Sequence, residues 1–268
     1  MSSEPALSDH VGMLSLDWRP AVPRPRAAAP LQGDIHLWAV DLASLGGTLS
    51  ACLTPSDISR GERIVDAGKR RLYLGGRAGA RYLLSVYTGI PANDIRFGYG
   101  ARGKPELLDG AGGRLRFNYS LSGDRVLYAL ADDRELGVDI EVLPRRTSAD
   151  CLAARKLTAA ERTAWNAVPK RLRNDAMLCC WTRKEAYGKA LGVGIRYNLG
   201  QVALFDMPGS CWFDTPRAGL FSGTDTSGMP ASFAGVQVKM PFPAVAALVY
   251  PGDGRDRPPI RSWQLDIR

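Results

Sequence analysis

The sequence predicts an α+β protein, and three observations predict it. An apolar strand pattern opens the ordered part of the chain, a helix-start signature occurs twice, and short alternating strands follow each helical stretch. At 268 residues with 45% hydrophobic and 8% aromatic content, the chain can bury a full core, as one large domain or two half-size ones.

Residues 1–30, with "RPAVPRPRAAAP", are expected to form a flexible leader, because proline and small residues give a core little to bury. Order is expected to begin at "DIHLWAVDL", where Ile35, Leu37 and Ala39 alternate with His36, Trp38 and Val40 as in a buried strand. "LTPSDISRGERI" reads as a helix start, with Thr54 as N-cap and Asp57 at the third helical position, and the helical pattern runs on through "RLYLGGRAGARYLLSVYTG". Two turn-rich segments, "GYGARGKPELLDGAGG" and "LSGD", enclose the strand "RLRFNYS", and the strands "RVLYALA" and "LGVDIEVL" follow. "LTAAERTAW" then repeats the helix start, with Thr158 and Glu161 placed as Thr54 and Asp57 were. After a helix over 175–192 the chain returns to strands at "QVALFD", "GVQVKM" and "AVAALVYPG". Two half-domains of similar plan, 31–130 and 131–268, would explain the repeated cap. Capping boxes are common in any helical protein, so the repeat alone does not decide between the two explanations.

Composition narrows the chemistry. A formal charge of +8 implies an acidic partner, which could be nucleic acid, a membrane surface, a phosphorylated small molecule or an acidic protein. No basic helix, aromatic stacking motif or long charge block points to nucleic acid. No apolar run approaches the ~20 residues of a membrane span, and the N-terminus has no secretory pattern, so the expected location is the cytoplasm. The five cysteines are odd in number and lack C-x-x-C spacing, which reads as reduced, mostly buried thiols. The two histidines, His10 and His36, both lie early, which argues against a histidine-ligated metal or a Ser-His or Cys-His pair. A metal here would be a hard cation held by carboxylates.

Two stretches offer such carboxylates. In "GVDIEV" Val138, Ile140 and Val142 share one strand face, which leaves Asp139 and Glu141 together on the other, roughly 6 to 7 Å apart. In "WTRKEAYGKALG" Trp181, Glu185 and Lys189 recur at i, i+4 and i+8, with Lys184 beside the stripe, so all four can project to one side of a helix. A solvated strand face or an ordinary Glu–Lys helix pair, worth roughly 0.3–0.5 kcal/mol, would account for either stretch alone. Together they suggest three carboxylates holding Mg²⁺ or Mn²⁺, with lysines meeting phosphate oxygens. The residues themselves lead to metal-assisted handling of a phosphorylated small molecule, and no further.

The pair "GVDIE" and "WTRKEAYGKALG" resembles the signature of the 4′-phosphopantetheinyl transferase superfamily, of the monomeric, two-half, surfactin-synthetase-activating type. Supporting matches are "RAGARYLL" with Arg77 and Arg81, "DIRFGYGARGKPEL" with Gly103, Lys104 and Pro105, and "FNYSLSGD" with Asn118, Ser120 and Ser122. The resemblance implies a pseudo-twofold pair of half-domains, each a long helix packed on a small, mainly antiparallel sheet. It implies transfer of the 4′-phosphopantetheine arm of coenzyme A to a serine of an acyl or peptidyl carrier protein, as in holo-[acyl-carrier-protein] synthase, with release of 3′,5′-ADP. Asp139, Glu141 and Glu185 would hold Mg²⁺, or Mn²⁺ in its place, on the coenzyme A pyrophosphate. Lys184 and Lys189 would meet its phosphates. Lys104 and Pro105 would line the adenine pocket, and Asn118 and Ser120, with Arg60 and Arg81, would contact the coenzyme, Ser120 and Arg60 at the 3′-phosphate.

No protein nucleophile is needed: Glu185 or a metal-bound water would take the serine proton, and Glu185 and Lys189 would be the catalytic pair. Leu121 stands where the family usually has a histidine that reaches phosphate. Arg125, Arg60 and Arg81 are the candidates to compensate for it; if none does, that phosphate contact is lost. The alternative reading is a catalytically idle relative that binds coenzyme A or carrier proteins without transfer.

Overall fold

A computed structural model describes residues 13–21, 31–43, 47–100, 103–108, 114–144, 148–192, 212–214, 233–252, 255 and 257–265. In chain order the strands are β1 (Arg19–Ala21), β2 (Ile35–Asp41), β3 (Arg96–Tyr99), β4 (Pro105–Leu108), β5 (Leu115–Ser122), β6 (Arg125–Asp132), β7 (Gly137–Val142), β8 (Trp212–Asp214), β9 (Phe233–Lys239), β10 (Ala244–Pro251) and β11 (Ile260–Leu265). The helices are α1 (Pro55–Glu62), α2 (Ala67–Thr88), α3 (Ala149–Lys156), α4 (Ala159–Ala167) and α5 (Arg173–Ala190). The protein is α+β, and its contacts divide it into two units.

The first unit comprises residues 17–101, 105–134 and 258–268. Its sheet has the order β1-β11-β2-β6-β5, and β3 and β4 form a separate hairpin. β2 is buried along both faces from Ile35 to Val40, and β11 and β6 flank it in the sheet, so it has no open edge. α1 begins with a full capping box: Thr54 Oγ1 accepts the Asp57 N–H, and Asp57 Oδ2 accepts the Thr54 N–H. α2 starts on the Asp66 carboxylate and stops at Gly89, whose φ of 73° is the left-handed cap an L side chain resists. Its Ala80, Leu83 and Leu84 share one core with Phe117, Val126, Tyr128 and Leu130.

The second unit comprises residues 1–16, 102–104 and 135–257, with the antiparallel sheet β7-β10-β9-β8. α5 lies along β7 and β10. Leu178 and Cys179 meet Val245, and Ala186, Tyr187 and Ala190 meet Ala247, Val249 and Phe233. α3 and α4 cover a further side of α5 through Leu152, Leu157, Trp165 and Met177. α4 carries the second full capping box, from Thr158 to Glu161.

Three expectations are corrected here. Part of the expected leader is built into the fold: β1 pairs parallel with β11, and Leu14 exchanges backbone hydrogen bonds with Gln237 and Lys239. The units are not two consecutive halves, because β11 inserts between β1 and β2 and so returns the C-terminal strand to the first unit. Both pairings of β11 are parallel, so the first sheet is mixed, while the second is antiparallel throughout. The strand expected at "QVALFD" lies outside the described residues.

Candidate active site

The approach of one strand to one helix builds the site. A Cβ on Gly137 would lie 2.1 Å from the Ala186 carbonyl oxygen and 2.3 Å from the Ala190 nitrogen, so only glycine lets β7 start against the α5 backbone. Side chains alternate along a strand, which puts Asp139 and Glu141 on the same α5-facing side as Gly137. α5 is buried from 177 to 190 except at Trp181 and Lys189, which are half-buried. Glu185 lies midway between these two, so the stripe Trp181–Glu185–Lys189 is the one open line on this part of the helix. Strand and helix meet in register there. Lys189 Nζ donates to Asp139 Oδ1 at 2.7 Å, and Trp181 Nε1 donates to Glu141 Oε1 at 2.9 Å.

Glu185 is 8% exposed, and its carboxyl is pushed above the usual range. Burial is the main cause, the Asp139 and Glu141 charges add to it, and Lys189 and Lys156 oppose it. Among the described residues, no three His, Cys, Asp or Glu side chains are arranged to hold a metal ion as they stand. The donor set still suits a hard divalent cation. Three carboxylates within electrostatic reach of one another supply oxygen ligands, and a cation would relieve the repulsion that raises Glu185.

The lysines divide by partner. Lys184 was expected to meet phosphate, and the structure corrects this. Its side chain is fully buried, with Nζ 2.7 Å from Glu161 Oε2 and 2.8 Å from the Lys156 carbonyl oxygen. One residue back from Glu185 means about 100° around the helix, so Lys184 turns toward α3 and α4. Lys104 Nζ donates to Glu135 Oε2 at 2.6 Å and to the Leu136 carbonyl at 3.1 Å, which pins the turn before β4 to the start of β7. Lys156, at the end of α3, was not singled out from the sequence. Its ammonium sits 4.6 Å from the centre of the Trp181 ring. Only its position just ahead of the Thr158 cap could have drawn notice to it.

In the first unit, the Arg81 guanidinium is buried and donates to Asp57 Oδ2 at 2.6 Å and to the Ala92 and Ile95 carbonyls. This corrects its assignment as a coenzyme contact, since its fork is occupied within the fold. Arg77 shares Asp57 from the other side, at 3.1 Å. Burial works against the Asp57 charge, and hydrogen bonds from Arg81 and Thr54 with the Arg77 charge outweigh it, holding the carboxyl below its usual range. Arg60 is exposed and donates to the Tyr99 hydroxyl at 2.5 Å. Pro105 pairs with Tyr99 across the β3–β4 hairpin. Asn118 and Ser120 are buried in β5, opposite Ala129 and Leu127 of β6. Leu121 takes the other face, packed on the core beside Gly76 of α2. Arg125 is half-buried and paired with Asp41 at 2.5 Å.

Fold and site together define an α+β protein whose charged centre is a D-x-E strand laid on a W-x-x-K-E helix. A model of the 4′-phosphopantetheinyl transferase superfamily matches residues 135–214, which include both motifs. The 4′-phosphopantetheinyl transferase HetI of Nostoc sp. is 33% identical over 187 residues, covering 68% of this chain and 78% of that protein. The 4′-phosphopantetheinyl transferase AcpT of Escherichia coli is 35% identical over 145 residues, 54% of this chain and 69% of that one. The L-aminoadipate-semialdehyde dehydrogenase-phosphopantetheinyl transferase of Xenopus laevis is 29% identical over 163 residues, 56% and 53% respectively. The chain belongs to the 4′-phosphopantetheinyl transferase superfamily.

Proposed function

We propose that this protein moves the 4′-phosphopantetheine arm of coenzyme A onto a serine of an acyl or peptidyl carrier protein and releases 3′,5′-ADP. The observation that carries the reading is the meeting of Asp139, Glu141, Glu185 and Lys189 where β7 lies on α5. We further propose that it works as a cytoplasmic monomer of the surfactin-synthetase-activating type, with the activity of a holo-[acyl-carrier-protein] synthase. Its partners would then be coenzyme A and the carrier protein.

Asp139, Glu141 and Glu185 would hold Mg²⁺, or Mn²⁺ in its place, and the bound cation would neutralise charge that develops on the pyrophosphate oxygens. The chain's own residues do the rest. Glu185, a carboxylate beside the attacking hydroxyl, takes the proton of the carrier serine. The serine oxygen forms its bond to the β-phosphorus as the bridging P–O bond breaks, and 3′,5′-ADP leaves with that electron pair. Lys189 turns from Asp139 toward the phosphate oxygens, where its charge matches the growing negative charge.

The test is intact mass spectrometry of an apo carrier protein after incubation with the protein, coenzyme A and Mg²⁺. Gain of one phosphopantetheine arm supports the transferase. Retained coenzyme binding with an unchanged carrier mass points to the idle relative.

A further inference from the structure

Four lysines surround the strand–helix site, and three of them already hold a carboxylate. Lys189 holds Asp139, Lys184 holds Glu161, and Lys104 holds Glu135. The fourth, Lys156, makes no ion pair among the described residues. Its ammonium rests on the Trp181 ring, 4.6 Å from the centre. A cation on a ring face keeps its hydrogen-bond donors for an anion.

Its position is nevertheless fixed. The Lys156 carbonyl accepts the buried Lys184 ammonium at 2.8 Å, and that ammonium is locked by Glu161. Glu161 in turn closes the capping box that starts α4. The backbone of Lys156 is thus tied to α5 one residue before Glu185, while the ring beneath its ammonium is tied by its N–H to Glu141. Lys189 must leave Asp139 to meet an anionic substrate, whereas Lys156 can offer its charge without giving up a carboxylate.

We propose that Lys156 is a further substrate-binding residue of this site and takes an oxygen of the coenzyme A pyrophosphate beside Glu185. The assignment rests on the transferase reading and names a residue outside the motifs that carry it. Its contribution is to binding, made by charge-assisted hydrogen bonds from a compact ammonium.

The experiment is calorimetric titration of the full chain with coenzyme A and with dephospho-coenzyme A, both with Mg²⁺, for wild type, Lys156→Met, Lys156→Gln and Lys156→Arg. Methionine keeps an apolar stem on the Trp181 ring, and glutamine is a second neutral variant should methionine perturb folding. Both neutral variants are expected to lose roughly tenfold or more in affinity for both ligands, by the same factor, at an unchanged melting temperature. Arginine is expected to stay within about threefold of wild type. Unchanged affinity in the neutral variants overturns the proposal. So does a loss seen with coenzyme A and not with its dephospho form, which would place Lys156 at the 3′-phosphate. A wild-type chain that binds neither ligand sinks the transferase reading itself, which is a different outcome from failure of Lys156 alone.

Discussion

Trp181 donates its indole N–H to Glu141 at 2.9 Å, and this bond sets the second carboxylate of the D-x-E strand one helical turn from Glu185. The two contacts bracket Glu185. Trp181 and Lys189 stand about 12 Å apart along α5, whereas Asp139 and Glu141 are about 6.7 Å apart along β7, so the helix side chains reach the strand carboxylates from either side of Glu185. Trp181→Phe keeps the ring and removes the donor. It is expected to lower transfer by about tenfold with little loss of stability, measured as kcat/KM alongside a denaturant melt.

Gly137 permits that alignment. Gly137→Ala would drive a Cβ into the α5 backbone, where no side chain can swing away. The expected result is destabilisation of about 3 kcal/mol or more, or failure to fold, read from urea unfolding. Near-normal stability would mean that β7 and α5 are not in this contact.

Lys184 and Glu161 form a buried pair, so losing one partner strands the other's charge. Lys184→Met and Glu161→Gln are each expected to cost about 3 to 5 kcal/mol, and the double substitution Lys184→Met with Glu161→Leu should recover part of it. If Lys184→Met instead left stability intact and weakened coenzyme A binding alone, the phosphate role first expected for it would stand.

His36 is buried against Tyr87 and Trp263, with Asp34 and Arg261 nearby, and Nδ1 lies 2.6 Å from the Tyr87 hydroxyl. Burial pulls its pKa from 6.5 down to about 4, Asp34 resists that fall, and Arg261 adds to it. The unfolded chain therefore binds a proton that the folded chain refuses between those values. The stability His36 contributes is complete above pH 6.5 and is lost as the pH falls toward 4. Unfolding free energy should drop by about 2 kcal/mol between pH 7 and pH 5, and His36→Gln should flatten that slope.

Much of this was legible in the sequence. Both capping boxes, the buried β2, the D-x-E face and the Trp181–Glu185–Lys189 stripe follow from periods of 2 and 3.6, which local residues control. Lys184 was misread because a lysine next to an open stripe looks solvent-facing until the partner that buries it, Glu161 of another helix, is placed. The membership of β11 in the first unit could not be read at all, since strand pairing over more than 200 residues leaves no local pattern. Leu121 shows the same limit. In sequence it is a missing histidine, and in the fold it packs beside Gly76 on the face opposite Ser120. Leu121→His is thus expected to cost about 1 to 3 kcal/mol of stability without tightening coenzyme A binding.

The central claim is that the β7–α5 carboxylates carry out the transfer, and single-turnover mass spectrometry of an apo carrier protein tests it most directly. Wild type, Asp139→Asn and Glu185→Gln would be compared with coenzyme A at saturating Mg²⁺, each variant shown by its melting curve to be folded. The account predicts a modified carrier with wild type and a loss of about a hundredfold or more in rate with either variant, as expected when a charged group leaves a phosphoryl-transfer site. Near-wild-type modification by folded Asp139→Asn or Glu185→Gln would contradict it.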